Sequence, residues 1–191
     1  IPLAVAAAAL GFGLAARAAA SSGVYAIVTN PGEGRLYVTA TIAGIPPAGG
    51  EQAHENNLRL QVSYLDMSGA ALDTARLVQG SDFQVKVDIT NLSKQSLRNL
   101  ALTHIVPAGC QIANPRLFTD EPANGYYDYQ DVRDDRILTY LSLGAGAKKT
   151  FTAVLNASYG GRFYQPGIGL ESMYDPAFHA NTTGRWVEIR R

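Results

Sequence analysis

The chain has 191 residues, 47 % hydrophobic and 17 % charged, with 16 basic and 16 acidic side chains and a formal net charge of zero. This balance excludes a disordered segment, and with Lys and Arg scattered singly it excludes a basic nucleic-acid surface. One cysteine, Cys110, excludes an internal disulfide but leaves the compartment open, since a domain of this size stands on its core alone.

In chain order, Ile1 to Ala20 is apolar and Ala-rich, interrupted by Gly11, Gly13 and Arg17. It lacks the basic start of a signal peptide and is too short and broken to span a membrane. It is expected to be an internal β segment of a larger protein, although Ala is depleted in strands. Val24–Val28 and Leu36–Ile42 read as the two arms of a hairpin around Asn30-Pro31-Gly32. Pro46-Pro47-Ala48-Gly49-Gly50 then breaks the pattern, and residues 47–57 read as a linker.

From Leu58 onward the period is two. Leu58 to Leu65 alternates apolar and polar residues for most of its length, and Phe83 to Thr90 does so without a break. Val85, Val87 and Ile89 should therefore share one buried face. Further strands are expected at 100–106, 137–143, 151–157, 162–164, 168–173 and 186–189, with a short helix allowed between Asp73 and Gly80. Short strands separated by Gly/Pro turns predict an all-β, antiparallel β-sandwich of immunoglobulin-like type. Trp186, the single tryptophan, is expected to be largely buried and to anchor the last strand.

No constellation for catalysis converges. Arg133-Asp134-Asp135-Arg136 is the densest charge cluster, but adjacent carboxylates on an extended chain point to opposite faces, so ion pairs that shape a loop are the expected role. His54, His104 and His179 lack metal-ligand spacing, and neither Asp120 and Glu121 nor the carboxylates from Asp128 to Asp135 have a calcium-loop pattern. No metal and no cofactor are expected, and the chain is expected not to be an enzyme. His104 is expected at the surface or half-buried, and Cys110 as a small buried hydrophobe. The sequons at Asn91, Asn156 and Asn181 are discounted as chance matches. Tyr126, Tyr127 and Tyr129 fit either an aromatic binding surface or core tyrosines with their hydroxyls at the edge.

The last third carries a resemblance. Asp131 to Arg136, Lys149-Thr150-Phe151, Asn156 to Tyr164, Pro166, Glu171 to Pro176 and Thr183 to Ile189, in that order and spacing, resemble the C-terminal macroglobulin-like domain of bacterial alpha-2-macroglobulins. Pro107-Ala108-Gly109 and Ile112-Ala113-Asn114-Pro115 fit the same pattern, and the segment from Asn30 to Pro46 resembles the end of the domain before it. The resemblance implies that residues 1–46 end a β domain adjoining a thioester domain, and that 58–191 are the terminal macroglobulin-like sandwich. It implies a fragment of a periplasmic, broad-spectrum protease trap, lipid-anchored at the inner membrane through the parent's own N-terminus. Its partners would be target proteases, the thioester domain of the same molecule and, at family level, a periplasmic penicillin-binding protein. Cys110 is followed by Gln111-Ile112-Ala113, so it is not the thioester cysteine. Met173, with Tyr174 beside it, is implicated in shielding a thioester from water. The alternatives are ordinary core for Met173 and, for the chain, a free-standing immunoglobulin-like adhesive or carbohydrate-binding module.

Overall fold

A computed structural model describes residues 14–19, 23–28, 35, 37–38, 47–113 and 127–191, and the chain divides into two units, 1–45 and 46–191. In the first unit, β1 (Leu14–Ala19) pairs antiparallel with β2 (Gly23–Val28), Ala16 opposite Ala26. The Ala-rich stretch is thus a strand despite its composition, because pairing overrides a weak propensity. It also takes the place expected for Leu36–Ile42 as the partner of Val24–Val28. Of that second arm, Tyr37 and Val38 are described and lie outside any strand, both exposed. The remainder of that arm, the turn around Pro31 and residues 44–46 lie outside the described residues, as do Asn114, Pro115, Asp120, Glu121 and Tyr126.

The second unit is an antiparallel sandwich. One sheet has the order β3 (His54–Asn56), β14 (His179–Asn181), β13 (Gly169–Ser172), β7 (Leu97–Ile105), β10 (Arg136–Leu143), β9 (Tyr129–Val132). The other runs β4 (Leu58–Asp66), β6 (Asp82–Asn91), β11 (Lys148–Ala157), β8 (Cys110–Ala113). A third, small sheet joins β12 (Gly161–Gln165), β15 (Arg185–Arg190) and β5 (Leu77–Val78), with β5 parallel to β15. The inward residues of the two larger sheets form one core. Along β6, Phe83, Val85, Val87 and Ile89 are buried, and Lys86 and Asp88 point outward as a 3.6 Å ion pair. This is the register the alternation dictates, because side chains on a strand alternate faces.

Some elements differ from expectation. The stretch read as a linker supplies β3, whose residues pair with β14 although all three are exposed. In place of a helix, Thr74–Arg76 makes a single 3-10 turn capped by the Asp73 carboxylate, which accepts from the Ala75 N–H at 2.9 Å. His104 is buried at 3 % exposure, not at the surface. Asn99 has a left-handed φ of 56°, and Leu97 and Leu100, an odd interval apart, are both buried. From Leu100 the two-residue period carries Leu102 and His104 inward. Trp186 is 45 % exposed, not largely buried. Val187 and Ile189 occupy the inward positions of β15, and Trp186 takes the outward one, where Arg162 lies 4.4 Å over its ring and Tyr164 meets it edge-on at 5.3 Å.

Two motifs are packing devices. The Cys110 N–H donates to Pro107 O at 2.9 Å, closing a turn, and Gly109 O accepts from the N–H groups of Ser158 and Tyr159 at 3.0 Å each. A Cβ on Gly109 would stand 2.2 Å from the Phe163 ring, so the Pro-Ala-Gly turn and the Gly-Gly-Arg-Phe stretch fit only with glycine there. Asn91, fully buried, donates its amide to the carbonyls of Gln95 and Gly144 at 2.7 and 2.9 Å and accepts from the Ser93 N–H at 2.9 Å. Of the other sequon residues, Asn156 donates to Asp82 and Asn181 to Gln52 O, at 2.8 Å each.

Candidate functional site

The segment carrying Met173 and Tyr174 is the connection between β13 and β14. Its ends are fixed by the strand ladder, where Leu170 opposes Ala180 and Glu171 opposes His179. Ser172 N–H donates to Phe178 O at 2.9 Å and Phe178 N–H to Asp175 O at 3.1 Å, closing the loop on itself. The Asp175 carboxylate also accepts from the Ala177 N–H at 2.9 Å. From outside, Met173 N–H donates to Asn99 O at 3.0 Å and the Asn57 amide to Ala177 O at 2.9 Å. Asn57, between β3 and β4, and Asn99, in β7, both have left-handed φ, at 57° and 56°, a conformation Asn tolerates, and both hold this loop.

Phe178 faces inward and is buried, anchoring the loop. Met173 and Tyr174 face outward, 52 % and 79 % exposed. Met173 is therefore not core: strand β13 ends at Ser172, and the chain turns outward before the Met side chain is placed. Two large apolar side chains are thus held side by side in solvent on a pinned loop. Sequence reasoning pointed at these residues through the motif. The Asn99 and Asn57 supports carried no signal, because a left-handed Asn in a polar stretch looks like any turn residue.

The other predicted residues do not join this loop. Tyr127 is half-buried against the core, whereas Tyr129 is 59 % exposed and stacks on Tyr140 of the paired strand at 6.0 Å. Tyr127 thus packs on the core and Tyr129 is exposed, with Tyr126 outside the described residues. Arg133 to Arg136 form the tip of the β9–β10 hairpin, closed by Arg133 N–H to Arg136 O at 2.9 Å. Arg136 grips the Asp135 carboxylate with two nitrogens, Nε at 3.0 Å and Nη2 at 2.6 Å, and this bond holds the Asp135 pKa below the usual carboxylate range. Arg133 pairs with Asp131 at 2.8 Å, and Asp134 is exposed beside them. Asp135 O accepts from the Val106 N–H, fixing the tip to the strand before Pro107.

Cys110 is buried, and burial pushes its thiol pKa up to about 11, which leaves it unreactive at neutral pH. Burial alone pushes His104 down to about 4, so its ring is neutral at pH 7. Among the described residues no group of three or more His, Cys, Asp or Glu could hold a metal ion, and no helix is long and apolar enough to cross a membrane.

The family model that matches is the bacterial alpha-2-macroglobulin MG10 domain, over residues 58–177. The chain is 27 % identical over 158 residues to the alpha-2-macroglobulin homolog of Yersinia pestis, a match over 71 % of this chain and 8 % of that protein. Salmonella alpha-2-macroglobulin reacted with methylamine superposes with a TM-score of 0.65 at 19 % identity, over 74 % of this chain and 10 % of that one. Trypsin-activated Escherichia coli alpha-2-macroglobulin gives 0.66 at 18 % identity, over 74 % and 11 %. At these identities the structural likeness bears on the fold alone.

Proposed function

This chain belongs to the bacterial alpha-2-macroglobulin MG10 domain family, and from that premise we propose that it is the terminal module of a protease trap, whose β13–β14 loop covers the parent's thioester domain. The observation that carries the reading is the outward, pinned placement of Met173 and Tyr174. A thioester survives only where water and amines are kept away, and a polarizable Met backed by an aromatic ring fills an irregular apolar gap well. The loop is held by one backbone hydrogen bond to Asn99 of β7 and one from the Asn57 side-chain amide between β3 and β4, so it presents a fixed face rather than a mobile tail. On the same reading the parent is a periplasmic, lipid-anchored inhibitor of broad specificity. As the full-length molecule it meets target proteases and, as a further partner, a periplasmic penicillin-binding protein.

The test uses the full-length parent. Met173→Ala and Tyr174→Ala should raise the rate at which small amines inactivate the thioester. The thermal midpoint should hardly move, because trimming half-exposed side chains costs under about 1 kcal/mol. Amine sensitivity equal to wild type in both variants overturns the shielding role.

A further inference from the structure

Strand β7 carries one residue more than the strand opposite it. Against β10, Leu100 lies opposite Leu141 and Leu97 opposite Leu143, so three steps on β7 match two on β10. Arg98 and Asn99 are left to face Ser142 together. This is a β-bulge, which bends its strand, raises the local twist and re-aims what lies beside it. The left-handed φ of 56° at Asn99 accompanies it: Leu97 and Leu100 both turn inward, and Arg98 and Asn99 both stay exposed.

The other side of β7 carries β13. That ladder runs in register from Gly169 opposite Thr103 to Ser172 opposite Leu100, and one step further the Met173 N–H donates to Asn99 O at 3.0 Å. Strand β13 itself ends at Ser172. The bulge therefore sits where the β13–β14 loop leaves the sheet, and the bulged residue's own carbonyl holds the first residue of the loop. The direction of that carbonyl follows from the Asn99 backbone, because φ and ψ alone turn the rigid peptide plane that carries it. Asn99 is exposed, so packing does not choose its residue type. The left-handed conformation does: Gly adopts it freely, Asn tolerates it, and a β-branched residue rarely enters it.

We propose that Asn99 is a positioning residue for the β13–β14 loop: its left-handed backbone in the β7 bulge aims the carbonyl that fixes Met173, and so sets the outward placement of Met173 and Tyr174. The inference rests on the shielding role of that loop and adds a residue outside the loop on which shielding depends.

Amide hydrogen exchange in the isotope-labelled 191-residue chain reads this bond directly. Asn99→Val should speed exchange at Met173 at least about tenfold, the population effect of disfavouring the left-handed backbone. Leu170, buried within β13, should keep its protection. Asn99→Gly preserves the backbone conformation and should leave Met173 within about twofold of wild type. Asn99→Ala serves if Asn99→Val does not fold. In the full-length parent, Asn99→Val should speed inactivation of the thioester by small amines at least about threefold, and Asn99→Gly should not. Unchanged exchange at Met173 in folded Asn99→Val, or equal acceleration at Met173 and Leu170, overturns the positioning role. Equal acceleration in Asn99→Gly and Asn99→Val overturns it too, as does wild-type amine sensitivity in Asn99→Val where Met173→Ala raises it. If Met173→Ala, Tyr174→Ala and Asn99→Val all match wild type towards amines, the shielding reading itself fails, and exchange at Met173 still decides whether Asn99 places the loop.

Discussion

At the scale of single residues, His104 shows how burial becomes pH dependence. In the folded chain its pKa is pushed down from 6.5 to about 4, whereas in the unfolded chain the imidazole titrates as an ordinary histidine. Below pH 6.5 the unfolded state therefore binds a proton that the folded state refuses, and stability falls with pH until about 4, where the folded ring also takes the proton. The loss should reach about 3 kcal/mol over that window, since each tenfold difference in proton affinity between the two states is worth about 1.4 kcal/mol. Urea denaturation of wild type and His104→Phe from pH 7 to 4 checks this. The difference between them should shrink or reverse as pH falls, and parallel curves would show that His104 does not titrate differently in the two states. Glu51 runs the same way, in a more acidic window. Its carboxylate accepts from the Tyr164 hydroxyl, and chiefly for that reason its pKa is lowered, so this tie holds above the ordinary carboxylate range and is released in acid.

At the scale of elements, β15 divides its residues by face. Ile189 is 3 % exposed within the core, and Trp186 stands outside between Arg162 and Tyr164. Removing a buried Ile to Ala should cost about 2–5 kcal/mol, since it deletes packed methyl groups and leaves a cavity. Trp186→Ala should cost about 1–2 kcal/mol, the sum of one cation–π contact and one aromatic pair at a half-exposed site. Denaturant midpoints for both variants test the order. A Trp186 loss equal to or above that of Ile189 would place the indole in the core after all. The aromatic size that made Trp186 look like the anchor was a poor guide, because parity along the strand decides which side faces in, and parity was set by Val187 and Ile189 together.

At the scale of the whole molecule, the contacts within residues 46–191 form a unit of their own, with one continuous hydrophobic core. A chain of residues 46–191 should therefore fold alone, with the thermal midpoint of the 191-residue protein to within a few degrees. Calorimetry of both chains checks this, and a midpoint lowered by ten degrees or more would mean that residues 1–45 stabilise the sandwich. The core also explains why distant motifs recur together. Gly109 receives Phe163, Asp135 receives the amide of Val106, and Asn91 receives Ser93 while holding the Gly144 carbonyl. Residues far apart in sequence thus serve a few shared junctions.

The sequence by itself determined the all-β class, most strand positions and the inward face of β6, because a period of two is written directly in Val85, Val87 and Ile89 and needs no partner to be read. It also singled out Met173 and Tyr174, through a motif long enough to be specific. Only the tertiary structure decided what depends on pairing. His54–Asn56 became a strand because β14 offered an edge, and the Ala-rich Leu14–Ala19 because Gly23–Val28 lay opposite it. His104 went inward along the period that starts at Leu100, beyond the left-handed Asn99. The exposure of Met173 was likewise undecided in the sequence, since Gly169 to Tyr174 alternates no more clearly than it runs apolar. The ladder to β14 ends at Glu171 and that to β7 at Ser172, and the turn that follows puts the Met side chain in solvent. Local patterns record which residues a strand can bury, but where a strand ends and what lies across from it are set by other segments of the chain.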